Sequence, residues 1–261
     1  MEIYFAVLNF TLSGVIGVVG ILTLRKVSTP NEIVFALLPL LFALHQFTEG
    51  FVWLGVGGYI EARAFNLAAG IFIYYAQGLL PFLVPLAVWL IEKNGFRKDI
   101  LGILTLLGLG LAVYTMYGLS TVPSSVNVVH DTLFYNNPWT ANYYDAVIYI
   151  ITTCGSLMLS SSISVQLFGL LNLVGLIIIF LLRPYGFTSI WCLYAAAISG
   201  LLYFHFVERR IKFLQDLKKK QDELSNELLK EQNELSLEFE NEIDALDKKR
   251  SQFIKKVEQY E

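Results

Sequence analysis

Apolar residues run in long blocks along the first four fifths of the chain, interrupted by short polar turns. A helix rises about 1.5 Å per residue, so roughly 20 apolar residues cross the hydrocarbon core of a bilayer. By that measure the pattern predicts seven spans, at 3–24, 33–57, 65–91, 99–119, 145–161, 164–182 and 187–207. The second contains Pro39, and the third contains Pro81 and Pro85. Membrane helices tolerate proline when neighbouring groups satisfy the freed carbonyls. The fifth span is short, and the uncharged Ser160-Ser161-Ser162 turn after it is also compatible with a re-entrant hairpin. Gly14, Gly17 and Gly20 on the first span predict a close-packing face.

The pattern changes after Val207. No glycine follows Gly200 and no proline follows Pro184, so the seventh helix is predicted to run on toward Glu261. That extension would add ~80 Å at 1.5 Å per residue. Leu214, Leu217, Leu224, Leu228, Leu235, Ile243, Leu246, Phe253 and Val257 keep a broken three-four rhythm. Gln221, Glu231 and Arg250 occupy core slots, and Leu235–Phe239–Ile243 inserts a stutter. The expected fold is therefore all-α. A seven-transmembrane-helix bundle, residues 1–207, has its N-terminus outside, and its last helix continues into a cytosolic, coiled-coil-like tail, 208–261. The alternative for the tail is a solitary charged helix, solvated by pairs such as Glu227 with Lys230.

Composition sharpens this division. Hydrophobic residues make up 55% of the 261 and charged residues 16%, against about a quarter charged in soluble domains. Residues 1–207 carry 8 acidic and 7 basic groups, whereas the tail carries 14 and 12. A soluble enzyme, a basic nucleic-acid binder and a disordered chain are all excluded. The expected partners are the lipid bilayer and, through 208–261, a second copy or another protein, with no nucleic acid. Arg25, Lys26, Lys93, Arg97, Lys98, Arg209 and Arg210 fall on one side of the predicted bundle, and only Arg63 and Arg183 on the other. The excess of Lys and Arg on cytoplasmic faces then places the tail in the cytoplasm. Met1-Glu2 lacks the positive flank of a signal peptide, so the first span is expected to remain. Cys154 and Cys192 lie in apolar segments and imply no disulfide framework.

The one long loop, 120–144, contains no Lys or Arg but has Phe134, Tyr135, Trp139, Tyr143 and Tyr144. It reads either as an aromatic belt at the outer interface or as a lid over an outward-facing cavity.

Candidate chemistry begins with Glu49, the one ionisable acid or base placed deep inside a predicted span. A charge at that depth costs at least ~2.5–3.5 kcal/mol on insertion scales and needs a partner inside the bundle. His45, Glu49 and Trp53 recur at i, i+4 and i+8, along one helix face. This spacing predicts a His45–Glu49 pair, sharing a proton or ionised, and sensitive to pH. Gln77, Thr152, Thr153, Ser156 and Asn172 bring polar groups to similar depth on other spans. They predict either a polar ligand or proton pocket near mid-membrane, or a network of hydrogen bonds holding the helices together. His45, His130 and His205 fall at three different depths, and no hydrolase, zinc-protease or nucleotide motif occurs. No catalytic residue, metal or cofactor is therefore expected.

The stretches LPLLFALHQFTEGFVWLG at 38–55, LMLSSSISVQLFGLL at 157–171 and SIWCLYAAAISGLLYFHF at 189–206 resemble an uncharacterised family of bacterial and archaeal multi-pass membrane proteins, catalogued as a domain of unknown function. The family's Gln-x-x-Glu-Gly-x-x-Trp pattern corresponds to Gln46, Glu49, Gly50 and Trp53 here, with His45 at a position where relatives often have glutamine. The family's Cys-Phe-Ser start is missing. The resemblance covers nearly all of 1–207 and implies a compact seven-helix bundle in a prokaryotic plasma membrane, but no activity. The candidate ligand or proton site is His45, Gln46, Glu49, Trp53, Gln77 and Asn172. Four readings follow. One is a non-enzymatic sensor or signalling module acting through the tail on a separate protein. The others are a proton- or cation-coupled carrier or channel using Glu49 and His45, an enzyme acting on an apolar substrate, and a membrane anchor for a partner complex.

Overall fold

A computed structural model describes residues 1–258, with side chains described through Gln252 apart from Pro184. Phe253 and Val257 of the expected tail seam therefore lie outside the described side chains. The chain is 84% helical and divides into two units, Met1–Arg210 and Ile211–Glu261.

The first unit holds helices α1 (Glu2–Leu24), α2 (Ile33–Val56), α3 (Ala62–Ile91) and α4 (Phe96–Thr121). A two-stranded hairpin follows, β1 (Ser125–Val129) and β2 (Thr132–Asn136). Then come α5 (Tyr143–Leu159), α6 (Ile163–Leu182) and α7 (Phe187–Ser199). After Gly200, α8 (Leu201–Glu258) begins in this unit and supplies the described part of the second. Six helices among the described residues are long and apolar enough to cross a membrane. The predicted fifth span corresponds to α5, an apolar helix that is shorter than these six. This is a helical membrane protein.

Two helices are not plain α-helix. In α3, residues Tyr75–Leu79 form a π turn, and in α5, Ile151–Gly155 form another. The first sits just before Pro81, which has no N–H for the carbonyl four residues back and so favours a widened turn there. The second contains no proline. There Thr152 and Thr153 donate their hydroxyls to the Tyr149 carbonyl, at 3.1 and 2.7 Å, and give it partners of its own.

Close helix contacts depend on glycine at particular places. A methyl group on Gly20 would meet the Leu40 backbone at 2.7 Å, next to Pro39, while Gly17 has Ala43 at 3.7 Å. Gly14 faces open space, so the predicted glycine face on α1 reduces to two members. Helical periodicity identifies a stripe but not how far along it the neighbour reaches.

At one end of the body, Glu32 is buried and accepts the backbone N–H groups of Ser28 (2.9 Å) and Thr29 (3.4 Å). Its other oxygen pairs with Arg209 at 2.9 Å, whose side chain is 40% exposed. Exposure weakens the ion pair, whereas among the described residues the two N–H groups bond only to Glu32. Glu32→Ala should therefore cost about 2–3 kcal/mol of stability and Arg209→Ala about 1. Equal losses in paired thermal melts would contradict this ordering.

In the second unit, Lys230 pairs with Glu234 (3.8 Å) rather than with Glu227, and Lys219 with Glu223 (3.7 Å). Leu214, Leu217, Leu224, Leu228, Leu235, Ile243 and Leu246 are all exposed in the single chain.

Candidate functional site

Glu49 is buried where three helices meet. Asn9 on α1, Gln46 and Glu49 on α2, and Ser189 on α7 form a continuous buried polar chain. Asn9 uses its amide nitrogen on the Phe5 carbonyl one turn back, at 3.0 Å. With the Gln46 amide nitrogen turned toward α1, it donates to Asn9 Oδ1 (2.7 Å) and to Glu49 Oε2 (2.9 Å), and its oxygen accepts from the Leu193 N–H (3.0 Å). Glu49 Oε1 accepts from the Ser189 hydroxyl. Each carboxylate oxygen thus has a neutral donor. Among the described residues, no Lys or Arg is paired with Glu49.

His45 is not part of this chain, and the predicted His45–Glu49 pair does not form. The imidazole lies between the rings of Phe72 (centroids 4.0 Å) and Tyr75 (4.3 Å) on α3, and neither ring nitrogen has a hydrogen-bond partner. The i, i+4 spacing sets two side chains along one face. It does not decide whether each leans toward α3 or toward α1 and α7. The stack continues outward, because Tyr135 of β2 lies on Phe72 at 4.4 Å. Burial pushes the Tyr135 phenol well above its usual range, so the ring enters the stack neutral. Trp53, one turn beyond Glu49, stacks on Phe5 at 4.5 Å.

Gln77 and Asn172 lie in other clusters. Gln77, in the first π turn, accepts from Asn137 (3.1 Å) and Thr140 (2.5 Å), which ties α3 to the 120–144 loop. That loop contains the β-hairpin, and its Thr140 lines a cavity of about 180 Å3. Its hairpin turns at His130 and Asp131, both with positive φ (48° and 61°), as a two-residue type I′ turn requires. Leu133 and Tyr135 are buried, while Tyr143 and Tyr144 at the start of α5 are exposed. Asn172 donates to the Phe168 carbonyl (2.8 Å) and lines a small cavity of about 20 Å3 with Thr153, Cys154 and Trp191. The predicted polar groups therefore form three neighbouring clusters, not one pocket.

A larger cavity, about 180 Å3, lies among α3, α4, α5, α7 and the loop. Gln77, Thr140, Asp145, Tyr149, Thr188 and Trp191 line it, together with apolar groups. Tyr149 and Trp191 also line the smaller cavity, and they are joined by a 3.0 Å bond from the indole N–H to the phenol oxygen. Sequence reasoning missed Ser189, Trp191, Tyr149 and Asp145 as site residues. Ser189 and Trp191 stand inside SIWCLYAAAISG, one of the stretches that carried the resemblance.

Helix α7 belongs to both places. At about 100° per residue, Thr188, Trp191 and Ala195 share the face toward the cavities, and Ser189 and Leu193 share the face toward Glu49 and Gln46. Near the Ser160 turn, Glu92 accepts from Ser160 (3.2 Å) and the Ser161 N–H (2.9 Å), and Ser164 lies 2.5 Å from His205 Nδ1. That pairing of a serine with a histidine links α6 to α8 across a sequence separation that no local pattern reveals.

No curated protein and no solved structure matches the chain. A family profile matches residues 4–216, which takes in the polar chain, both cavities and the first residues of the second unit, and on that match the chain belongs to the family of unknown function DUF6629.

Proposed function

We propose that this protein is a non-enzymatic membrane sensor, in which occupancy or protonation at the α2–α7 polar chain and its neighbouring cavity biases the tail. The observation that carries this reading is the position of α7. It bonds Glu49 on one face, walls the 180 Å3 cavity on another, and is separated from α8 by Gly200 alone. A shift in α7 is thus one residue from the helix that supplies the tail, which is how a local event becomes a population shift elsewhere. The topology in this reading is seven crossings with α5 as the fifth, the N-terminus outside and the tail in the cytoplasm of a prokaryotic cell, as the Lys and Arg distribution favours. The exposed leucine stripe of the tail is then covered in a self-associated coiled coil or by a separate output protein.

The test is hydrogen exchange on residues 211–258 of the full-length protein in nanodiscs, comparing wild type with Ser189→Ala and Glu49→Gln. The sensor reading expects protection in the tail to change by severalfold while the body still melts cooperatively. Unchanged tail protection in both variants would favour the membrane anchor instead. Proton flux into liposomes that Glu49→Gln abolishes would replace the sensor with a carrier.

A further inference from the structure

The larger cavity has a wall chemistry that selects its occupant. Three rings line it, Tyr149, Phe187 and Trp191, along with one carboxylate, Asp145. The other polar walls are the Gln77 amide and the hydroxyls of Thr140 and Thr188. No basic side chain lines it, and the chain carries no Lys or Arg at all between Lys98 and Arg183. The indole N–H of Trp191 is taken up by Tyr149, and the Gln77 oxygen already accepts two bonds. What remains for a ligand is π surface, negative charge, the Gln77 amide N–H groups and the Thr188 hydroxyl, with no positive charge among them. Asp145 accepts from Asn142 at 2.7 Å and forms no ion pair among the described residues.

We propose that this cavity binds a small organic ammonium ion, held by the Asp145 carboxylate against the rings of Trp191, Tyr149 and Phe187. An anion would meet the carboxylate, and a neutral apolar molecule would desolvate it without compensation. A divalent metal would want six or more oxygens where the wall provides a single carboxylate. An ammonium with alkyl substituents satisfies both features at once, because its charge is attracted by aromatic faces as well as by the acid. At about 180 Å3 the space is smaller than the ~300–1,000 Å3 of drug-sized sites, which suits a choline- or ethanolamine-sized cation. The same group occurs free in solution and at the head of a phospholipid. This inference names the ligand class of the sensor proposed above and rests on that reading for its biological meaning, but binding is measured without reference to the tail.

The test is calorimetric titration of the full-length protein in nanodiscs of phosphatidylglycerol alone. Choline chloride is the probe, and 3,3-dimethyl-1-butanol, its uncharged isostere, is the control. Choline is expected to bind saturably and the isostere not to bind. Asp145→Asn should weaken choline by about tenfold or more, Trp191→Leu should weaken it comparably, and Asp145→Glu should restore most of the affinity. Repeating the titration with a phosphatidylethanolamine fraction in the nanodisc separates the two sources. A fall in apparent choline affinity identifies a lipid head group as occupant, and an unchanged affinity identifies a soluble amine. Absence of saturable choline binding, equal binding of the isostere, or an Asp145→Asn variant that folds and binds choline as wild type does would overturn the proposal. Choline binding with no change in tail hydrogen exchange would keep this site and remove the sensor reading alone.

Discussion

Glu49→Ala should lower the unfolding free energy of the body by about 3–5 kcal/mol, the largest loss expected from any single substitution in the polar chain. Two effects add. The Ser189 hydroxyl and the Gln46 amide lose their carboxylate acceptor at positions that are buried, and each unsatisfied donor costs about 1–3 kcal/mol. A cavity the size of the lost carboxyl group also opens in a close-packed interior. Glu49→Gln keeps one acceptor oxygen and the shape, so about 1–2 kcal/mol is expected for it. Thermal or denaturant unfolding in detergent, followed by tryptophan fluorescence, measures both. A Glu49→Ala loss below that of Glu49→Gln would mean that the chain of hydrogen bonds contributes little to holding α1, α2 and α7 together.

The second large effect concerns Gly108 on α4. A methyl group there would lie 1.9 Å from the Pro81 carbonyl oxygen and 2.5 Å from its carbon, both backbone atoms of α3. Nothing at that contact can rotate away, so the two helices must separate. Overpacking of this kind costs typically about 1–3 kcal/mol and at times more, and Gly108→Ala is expected at or above the upper end. Gly110, two residues on, has nothing within 4 Å of the same added atom. Gly110→Ala should therefore stabilise slightly, by about 0.5–1 kcal/mol, through helix propensity alone. If both variants melted alike, the close approach of α3 and α4 at Pro81 would be wrong.

The helices were legible because membrane burial leaves a plain signal, a long apolar run. Their length and order follow from hydropathy, and even the short fifth run marks α5. Glu49 was legible for the converse reason, since a charge in such a run needs an explanation. Of its partners, Gln46 was named through the family pattern and Ser189 was not. Ser189 is 140 residues away, and serine in an apolar span carries no signal that separates a network member from a packing residue. The spacing of His45 and Glu49 was a sound local inference overridden by tertiary contacts, because two rings of α3 stack on the imidazole. The β-hairpin escaped notice because its turn is His-Asp, where Asn-Gly or Asp-Gly is the strong signal for two positive φ angles. Gln77 joined the loop, since nothing in a single sequence shows which way a polar group in a π turn will face.

Those π turns have a consequence for how this chain can tolerate insertions and deletions. Each holds one residue more than an α-helix would use over the same rise, so each is a place where the count of residues and the geometry are out of step. Deleting a single residue within 75–79 would let α3 close into regular helix over nearly the same rise, and the side chains before and after the turn would keep close to their present facing. Pro81 would keep the Gly108 contact and Phe72 its stack, and only residues inside the turn, Gln77 among them, would be redirected. The loss of one residue at 75–79 or 151–155 is therefore a trim, whereas the same loss in a regular stretch of α3 or α5 turns everything beyond it by about 100°. Chains of this family that are one residue shorter inside the membrane should lack the residue at one of these two turns, where the contacts of the bundle survive the loss.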